Sequence, residues 1–194
     1  VLGCTFPEQR DDMIMQEIRM TCYTREMAKD VSERAQRIGK TAYIHVKLDT
    51  GMSRLGFLIN EANADTIAQI TRLPGVEAEG MFTHFSKADE ADKSFTRGQM
   101  EKYLWMRSRL ADRGVTFRFC HCSNSAGIID MPEAAMDLVR AGIAMYGLYP
   151  SGEVQKDLVP LRPAMELISH VSHVKWVEPG TSVSYGGTYV TGRR

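Results

Sequence analysis

Three features of this 194-residue sequence predict an α/β fold built on a parallel sheet. Runs with strand-like, period-2 alternation are separated by amphipathic stretches long enough for helices, the pattern of βαβ units. Polar clusters stand at the carboxyl ends of successive strand-like runs. The helix pattern then stops near Tyr149, and an alternating tail rich in Tyr, Val and Thr follows. The expected organisation is an α/β part over 1–150 and a β-rich part over 151–194, with Pro150-Ser151-Gly152 as the linker.

Each element has its own justification. Thr24 is placed to cap a helix through Ile38, with Met27, Val31, Ala35 and Ile38 on one face and Gly39 as its C′ glycine. Thr41–Leu48 reads as a strand, with Ala42, Ile44, Val46 and Leu48 on one side and Tyr43, His45 and Lys47 on the other. A helix from about Glu61 to Leu73 buries Ala64, Ile67, Ile70 and Leu73, and Pro74-Gly75 ends it. Val76–Phe85 is the next strand. A long helix over Lys93–Arg113 is expected to turn Phe95, Tyr103, Leu104, Leu110 and Ala111 to the core, with Gly114 at its end. Phe117–Ser123 and Leu138–Arg140 read as further strands. In the tail, Pro160–Val177 alternates, Glu178-Pro179-Gly180 is a turn signal, and Ser182–Thr191 reads as one strand.

Composition narrows the function classes. Twenty-four Lys and Arg balance 24 Asp and Glu. The pI is near 7.1, which argues against a basic nucleic-acid footprint. No apolar run is long enough to span a bilayer, and no secretory pattern opens the sequence. Four cysteines at 4, 22, 120 and 122 are too few and too irregular for a disulfide scaffold, so a cytoplasmic setting is expected.

Chemistry in parallel α/β folds gathers at the carboxyl ends of strands. Four clusters stand there: Lys47 to Arg54, Thr83-His84-Phe85-Ser86, His121-Cys122-Ser123-Asn124-Ser125, and Arg140-Ala141-Gly142. Together they suggest a shared polar or anionic ligand. Simpler readings were weighed for each. Gly51 to Gly56 has P-loop-like spacing, but Phe57 stands where the lysine must be, which removes a Walker site. Cys120 and Cys122 face one way along a strand and His121 the other, so the three do not share a metal ion. His170 and His173 have opposite parity too. Arg140, beside Val139 and Gly142, calls for an anion, an acceptor or a deep hydrogen-bond partner. Lys47, on a strand with four apolar residues, must be paired, neutralised or modified.

These residues, taken together, resemble the alanine racemases. Lys47-Leu48-Asp49-Thr50-Gly51-Met52-Ser53-Arg54-Leu55-Gly56 is similar to that family's K-[VL]-D-T-G-M-x-R-x-G stretch. Thr83-His84-Phe85, His121-x-x-Asn124-Ser125-Ala126, Val139-Arg140-Ala141-Gly142-Ile143-Ala144-Met145-Tyr146-Gly147 and Val183-Ser184-Tyr185-Gly186-Gly187-Thr188-Tyr189 are similar to later stretches, in the same order. The resemblance implies an incomplete (β/α)8 (TIM) barrel followed by the start of a C-terminal β domain. It also implies pyridoxal 5′-phosphate as cofactor, a small amino acid as substrate, and a homodimer with shared active sites. The implied reaction interconverts L- and D-alanine and supplies D-alanine for peptidoglycan.

The resemblance also implies roles. Ser125, Gly142 and Ile143, with the neighbouring Asn124, would hold the cofactor, the first three at its phosphate. Arg140 would donate to the pyridine nitrogen, and His84 would hydrogen-bond Arg140. Arg54 would contact the cofactor's phenolic oxygen and the substrate carboxylate. Lys47 would carry a carbamate that pairs with Arg54. Ser53 stands where many members have Gly. Tyr185 would be the catalytic base supplied from a second subunit, opposite a cofactor-bound lysine. That lysine's A-V-[VI]-K-A-x-A-Y-G-H-G stretch has no counterpart among these residues, and Val1-Leu2-Gly3 resembles a strand midway through the barrel. The chain therefore reads as a central portion cut at both ends, expected to be inactive on its own. Alternatives are a racemase for serine or another small amino acid, or a non-catalytic binding protein; Tyr185 argues against the latter.

Overall fold

A computed structural model describes residues 1–194 as two compact units, Val1–Ala164 and Met165–Arg194. The first is α/β. It opens with a short helix α1 (Arg10–Met15) and a strand β1 (Met20–Cys22) that the sequence pattern did not mark. Val1 lies beside β1 without a ladder, its amine donating to the Arg19 carbonyl (2.7 Å) and its own carbonyl accepting from Thr21 Oγ1.

Helix α2 (Arg25–Ile38) starts where Thr24 Oγ1 accepts the Met27 N–H at 3.1 Å and ends on Gly39 in the left-handed region. Strand β2 (Ala42–Asp49) follows, and Ala42, Ile44, Val46 and Leu48 are fully buried on one face. Burial of each of the larger three contributes about 1.5–3 kcal/mol. A two-residue strand β3 (Phe57–Leu58) pairs with the end of β2. Helix α3 (Glu61–Ile70), capped by Asn60, leads to β4 (Val76–Phe82), α4 (Ser94–Ala111), β5 (Phe119–His121) and α5 (Ser125–Asp130). The strands pair in the order β1-β2-β4-β5, all parallel. The expected βαβ succession is therefore present.

Three expectations are corrected. Helix α4 buries Thr96, Gln99, Tyr103, Met106 and Leu110, whereas Phe95, Leu104 and Ala111 are exposed. The buried stripe has 3-4-3-4 spacing, but two of its positions are polar, and an apolar-only reading misplaces the face. Leu138–Arg140 is not a strand. Asp137 N and Arg140 N donate to the carbonyls of Cys120 and Ser123 (3.1 and 3.0 Å), yet the Asp137 carboxylate takes the Cys120 N–H (2.8 Å) that a ladder carbonyl would accept. In the second unit, Ser182–Thr191 is not one strand but an antiparallel pair, β6 (Ser182–Val183) and β7 (Tyr189–Val190). Positive φ at Ser184, Gly186 and Gly187 reverses the chain between them. The alternation in Pro160–Val177 produces no strand, because alternation sets faces and a strand also needs a partner edge.

Residues 150–164 pack with the first unit: Ser151 Oγ donates to the Asp89 carbonyl (2.8 Å), and Tyr149 OH accepts from Leu161 N (3.1 Å). No helix is long and apolar enough to cross a membrane.

Candidate active site at the strand ends

The face of the sheet opposite the apolar one carries the chemistry. Register places Lys47 beside Phe82, and Phe82 beside His121. Strand parity separates them from the core as expected: Cys120 and Cys122 are buried on the apolar side, while His121 joins Lys47.

Arg140 is the hub. One terminal nitrogen, Nη2, donates to the carbonyls of Thr83 and Cys122, both at 2.8 Å. The other, Nη1, meets His121 Nδ1 at 2.5 Å. His84 Nδ1 stands farther away, 3.5 Å from Nη2. Arg140 therefore has the expected contact with His84 and a shorter one, with His121, that the resemblance did not assign. The parity that separated His121 from both cysteines was the signal for it. Arg140 has no carboxylate partner, and burial draws its pKa down to about 10. It still carries its charge at neutral pH. Burial, reinforced by the Arg140 charge, holds His84 down to about 4 and His121 to about 3, so both rings are neutral.

Lys47 is buried and donates only to the Leu48 carbonyl (2.7 Å). Desolvation brings its pKa down to about 8. The folded state thus binds this proton less well than the unfolded chain. Its cost is full below about pH 8 and disappears as pH rises toward 10.5, where both states are neutral. Lys47→Met should accordingly stabilise the unmodified protein at pH 7 and lose most of that advantage by pH 10, as measured by urea unfolding at the two pH values.

Past Lys47 the chain turns sharply. Asp49 Oδ1 accepts the N–H groups of Gly51, Met52 and Ser53, each at 3.0 Å. Ser53 has φ +55°, which gives a physical reason for glycine at this position in similar stretches. Ser53→Gly should raise stability by about 0.5–1 kcal/mol, relief of the left-handed strain outweighing the entropy gained by the unfolded chain; a shift of the urea midpoint checks it. Arg54 follows on the exposed side of this turn, and its charge adds to the depression of both Lys47 and His84. Gln99, unmarked by the sequence because it sits in a helix, ties the strand ends together. Its Nε2 donates to Thr50 Oγ1 and to the His84 carbonyl, both at 3.2 Å, and its Oε1 accepts the Ser86 N–H.

On the other side of Arg140 lies a cradle. Ser125 Oγ accepts the N–H groups of Gly142 (3.0 Å) and Ala144 (3.2 Å), and a Cβ on Gly142 would stand 3.6 Å from that oxygen. Asn124 caps α5, accepting Gly127 N at 3.0 Å and donating to the Phe85 carbonyl at 3.2 Å. Its side chain is thus occupied in shaping the cradle. Asn124→Ala should cost about 1 kcal/mol through loss of the cap, read as a lowered melting temperature. His84, Asn124, Ser125, Arg140, Gly142 and Ile143 line one cavity of about 350 Å³. Tyr185 belongs to the second unit, where it is fully exposed.

Arg140 Nε is the telling atom. It is buried and has no partner in the protein. A buried donor left without a partner, on a residue that lines the cavity, fits an acceptor nitrogen or oxygen of a ligand, and a hydroxyl amid backbone N–H groups fits a phosphate. The residues present therefore suit a cofactor that carries both.

Fold and site define a class: an α/β unit of barrel type that presents a ligand site at its strand ends. Residues 1–150 match the family described as Alanine racemase, N-terminal domain, and the chain belongs to that family. It is 44% identical over 189 residues to an alanine racemase of Desulforamulus reducens, covering 97% of this chain and 51% of that protein. The structure superposes on an alanine racemase of Clostridium difficile 630 with a TM-score of 0.93 and 45% identity, over 99% of this chain and 50% of that one. A histidine racemase of Leuconostoc mesenteroides is more distant, with a TM-score of 0.79 and 26% identity over 100% of this chain and 51% of its own. The chain spans about half the length of the curated relatives it matches. The α/β fold is part of a (β/α)8 barrel.

Proposed function

We propose that the protein carrying this chain is a pyridoxal 5′-phosphate-dependent alanine racemase that interconverts L- and D-alanine and supplies D-alanine for peptidoglycan in the cytoplasm. The observation that carries this reading is the unpartnered Nε of Arg140, held in the wall of the cradle cavity by three other hydrogen bonds.

The cofactor, when bound, supplies an electron sink that makes the substrate's Cα–H acidic. Arg140 would donate to its ring nitrogen without giving up its proton, because its pKa, even lowered to about 10, lies far above that of a pyridine nitrogen. That keeps the sink weak and favours return of a proton to Cα over transfer elsewhere. Ser125, with the backbone of Gly142 and Ile143, holds the phosphate, and Asn124 keeps that cradle in shape. Arg54 would bind the substrate carboxylate and the cofactor's phenolic oxygen. Racemisation needs proton transfer on both faces of Cα, and Tyr185 provides one of the two bases from the second subunit of a homodimer. Lys47, whose amine is neutral at only mildly alkaline pH, is the position for a carbamate that pairs with Arg54. The nitrogen lone pair attacks the carbon of CO2, and the amine proton leaves to solvent.

The fold alone does not select alanine, since a histidine racemase shares it. Alanine is favoured by relatives at 44% and 43% identity that carry that name. The deciding experiment follows D/L interconversion of alanine, serine and histidine by the whole protein that carries this chain, with added cofactor. Alanine turnover well above the others is expected; preferential turnover of serine or histidine, or none of any, would overturn the reading.

A further inference from the structure

Behind Arg140, away from the cradle, a row of polar side chains crosses the sheet. Arg140 Nη1 meets His121 Nδ1 at 2.5 Å, His121 Nε2 meets His45 Nδ1 at 2.8 Å, and His45 Nε2 lies 3.7 Å from Glu79 Oε2. Glu79 is buried and gripped by Arg19, with Nε and Nη2 donating at 2.8 and 3.2 Å. The two ends fix the protons between them. A guanidinium only donates and a carboxylate only accepts. His121 Nδ1 must therefore accept, which puts its proton on Nε2. His45 Nδ1 accepts that proton's hydrogen bond, which puts the His45 proton on Nε2, facing Glu79.

The backbone is shaped for this row. The β2–β4 register shifts between Ile44 and His45: Ile44 pairs with Ala78 but His45 with Gly80, so Glu79 is the extra residue of a β-bulge. The bulge brings the Glu79 carboxylate to the face that carries His45. Gly80 makes room for the ring, because a Cβ there would lie 2.5 Å from His45 Nδ1. Phe82 stacks on His121 at 4.7 Å and 9°, fixing that ring's plane.

We propose that Glu79 and His45 are positioning residues of the active site: the bulge and Arg19 hold Glu79 as a fixed anion facing His45 Nε2, and its field orients the two hydrogen bonds, His45 to His121 and His121 to Arg140, that keep Arg140 in place as a donor. The link to a cofactor's ring nitrogen rests on the racemase reading; the row itself does not. The surrounding charges agree with neutral imidazoles. His121 faces Arg140 and Lys47, and His45 is desolvated and faces Arg19 and the amine of Val1 as well as Glu79. Arg118, 3.6 Å from Glu79, further favours its ionised form.

Imidazole nitrogen resonances of the cofactor-free full chain test the row at pH 7. His45 and His121 should both be neutral with the proton on Nε2. Glu79→Gln, of the same size, removes the anion that faces His45 Nε2 at 3.7 Å, and should shift the His45 Nε2 signal while leaving the His121 tautomer in place. In the cofactor-loaded protein it should lower kcat about tenfold, the low end for an outer partner of a site, with KM unchanged. A doubly protonated ring, or a proton on Nδ1 of either histidine in the wild type, would overturn the proposal. So would a Glu79→Gln variant with an unmoved His45 signal. If the tautomers are as stated and no amino acid is racemised, the row stands and the racemase reading fails.

Discussion

In the proposed racemase, replacing Arg140 with methionine should reduce racemisation at least a hundredfold while leaving the unfolding free energy within about 2 kcal/mol of the wild type. The two effects separate because Arg140 is a half-buried cation without an anionic partner. Its partners are the carbonyls of Thr83 and Cys122 and a neutral imidazole, and burial has already lowered its pKa to about 10. Methionine would leave those three acceptors short of a donor, at about 1 kcal/mol each. It would also remove the desolvation cost of the guanidinium, a gain of similar size and opposite sign. Catalysis has no such compensation. Loss of a preorganised donor at the reacting centre typically costs 10²–10³-fold, and here the donor also sets how strong the electron sink can be. Arg140→Glu sharpens the point. A carboxylic acid can protonate the ring nitrogen where a guanidinium cannot, so the residual activity should shift toward transamination, detected as pyruvate formed per alanine racemised. An unchanged ratio would remove Arg140 from control of the reaction's outcome.

The parts of this molecule that follow local rules were legible in the sequence. Thr24 and Gly39 bound α2 because a side-chain cap and a left-handed glycine act within one turn, and the four apolar residues of β2 are buried because period 2 dictates it. Lys47 and Arg140 stood out because each is a charge next to apolar neighbours, and both are indeed buried or nearly so without an anionic partner. What was not legible depends on which strand lies beside which. His121 joins His84 as a partner of Arg140 through the β4–β5 register, which no local pattern encodes. Glu79 enters the row through a bulge, a one-residue slip that reverses side-chain parity. Gln99 was hidden because a buried polar residue on a helix looks like a solvent-facing one. Leu138–Arg140 failed as a strand because the carboxylate of Asp137 substitutes for a ladder carbonyl.

Gly56→Ala should be the most destabilising single-methyl change in the strand-end turn, costing about 3–5 kcal/mol. Two terms add. Its φ of +131° is outside the range that a side chain tolerates, a strain of about 1–3 kcal/mol. The new Cβ would also stand 2.5 Å from Asp49 N and 2.6 Å from Leu48 C, and overpacking against atoms that must shift adds about 1–3 kcal/mol. Those atoms are backbone at the end of β2 and cannot swing away. The Leu48 carbonyl accepts both Lys47 Nζ and Thr83 Oγ1, at 2.7 and 3.1 Å, so displacement there reaches the site from both sides. Gly51→Ala is the control. It too has a strained φ, +142°, but its Cβ would meet the half-exposed ring of Phe95 at 3.2 Å, a side chain free to move. Its cost should stay near the strain term alone, about 1–3 kcal/mol. Urea unfolding of the two variants side by side reads the difference. Equal costs would show that backbone crowding at Leu48–Asp49 is relieved by a shift of the turn, and that the strand end holding Lys47 is softer than its hydrogen bonds indicate.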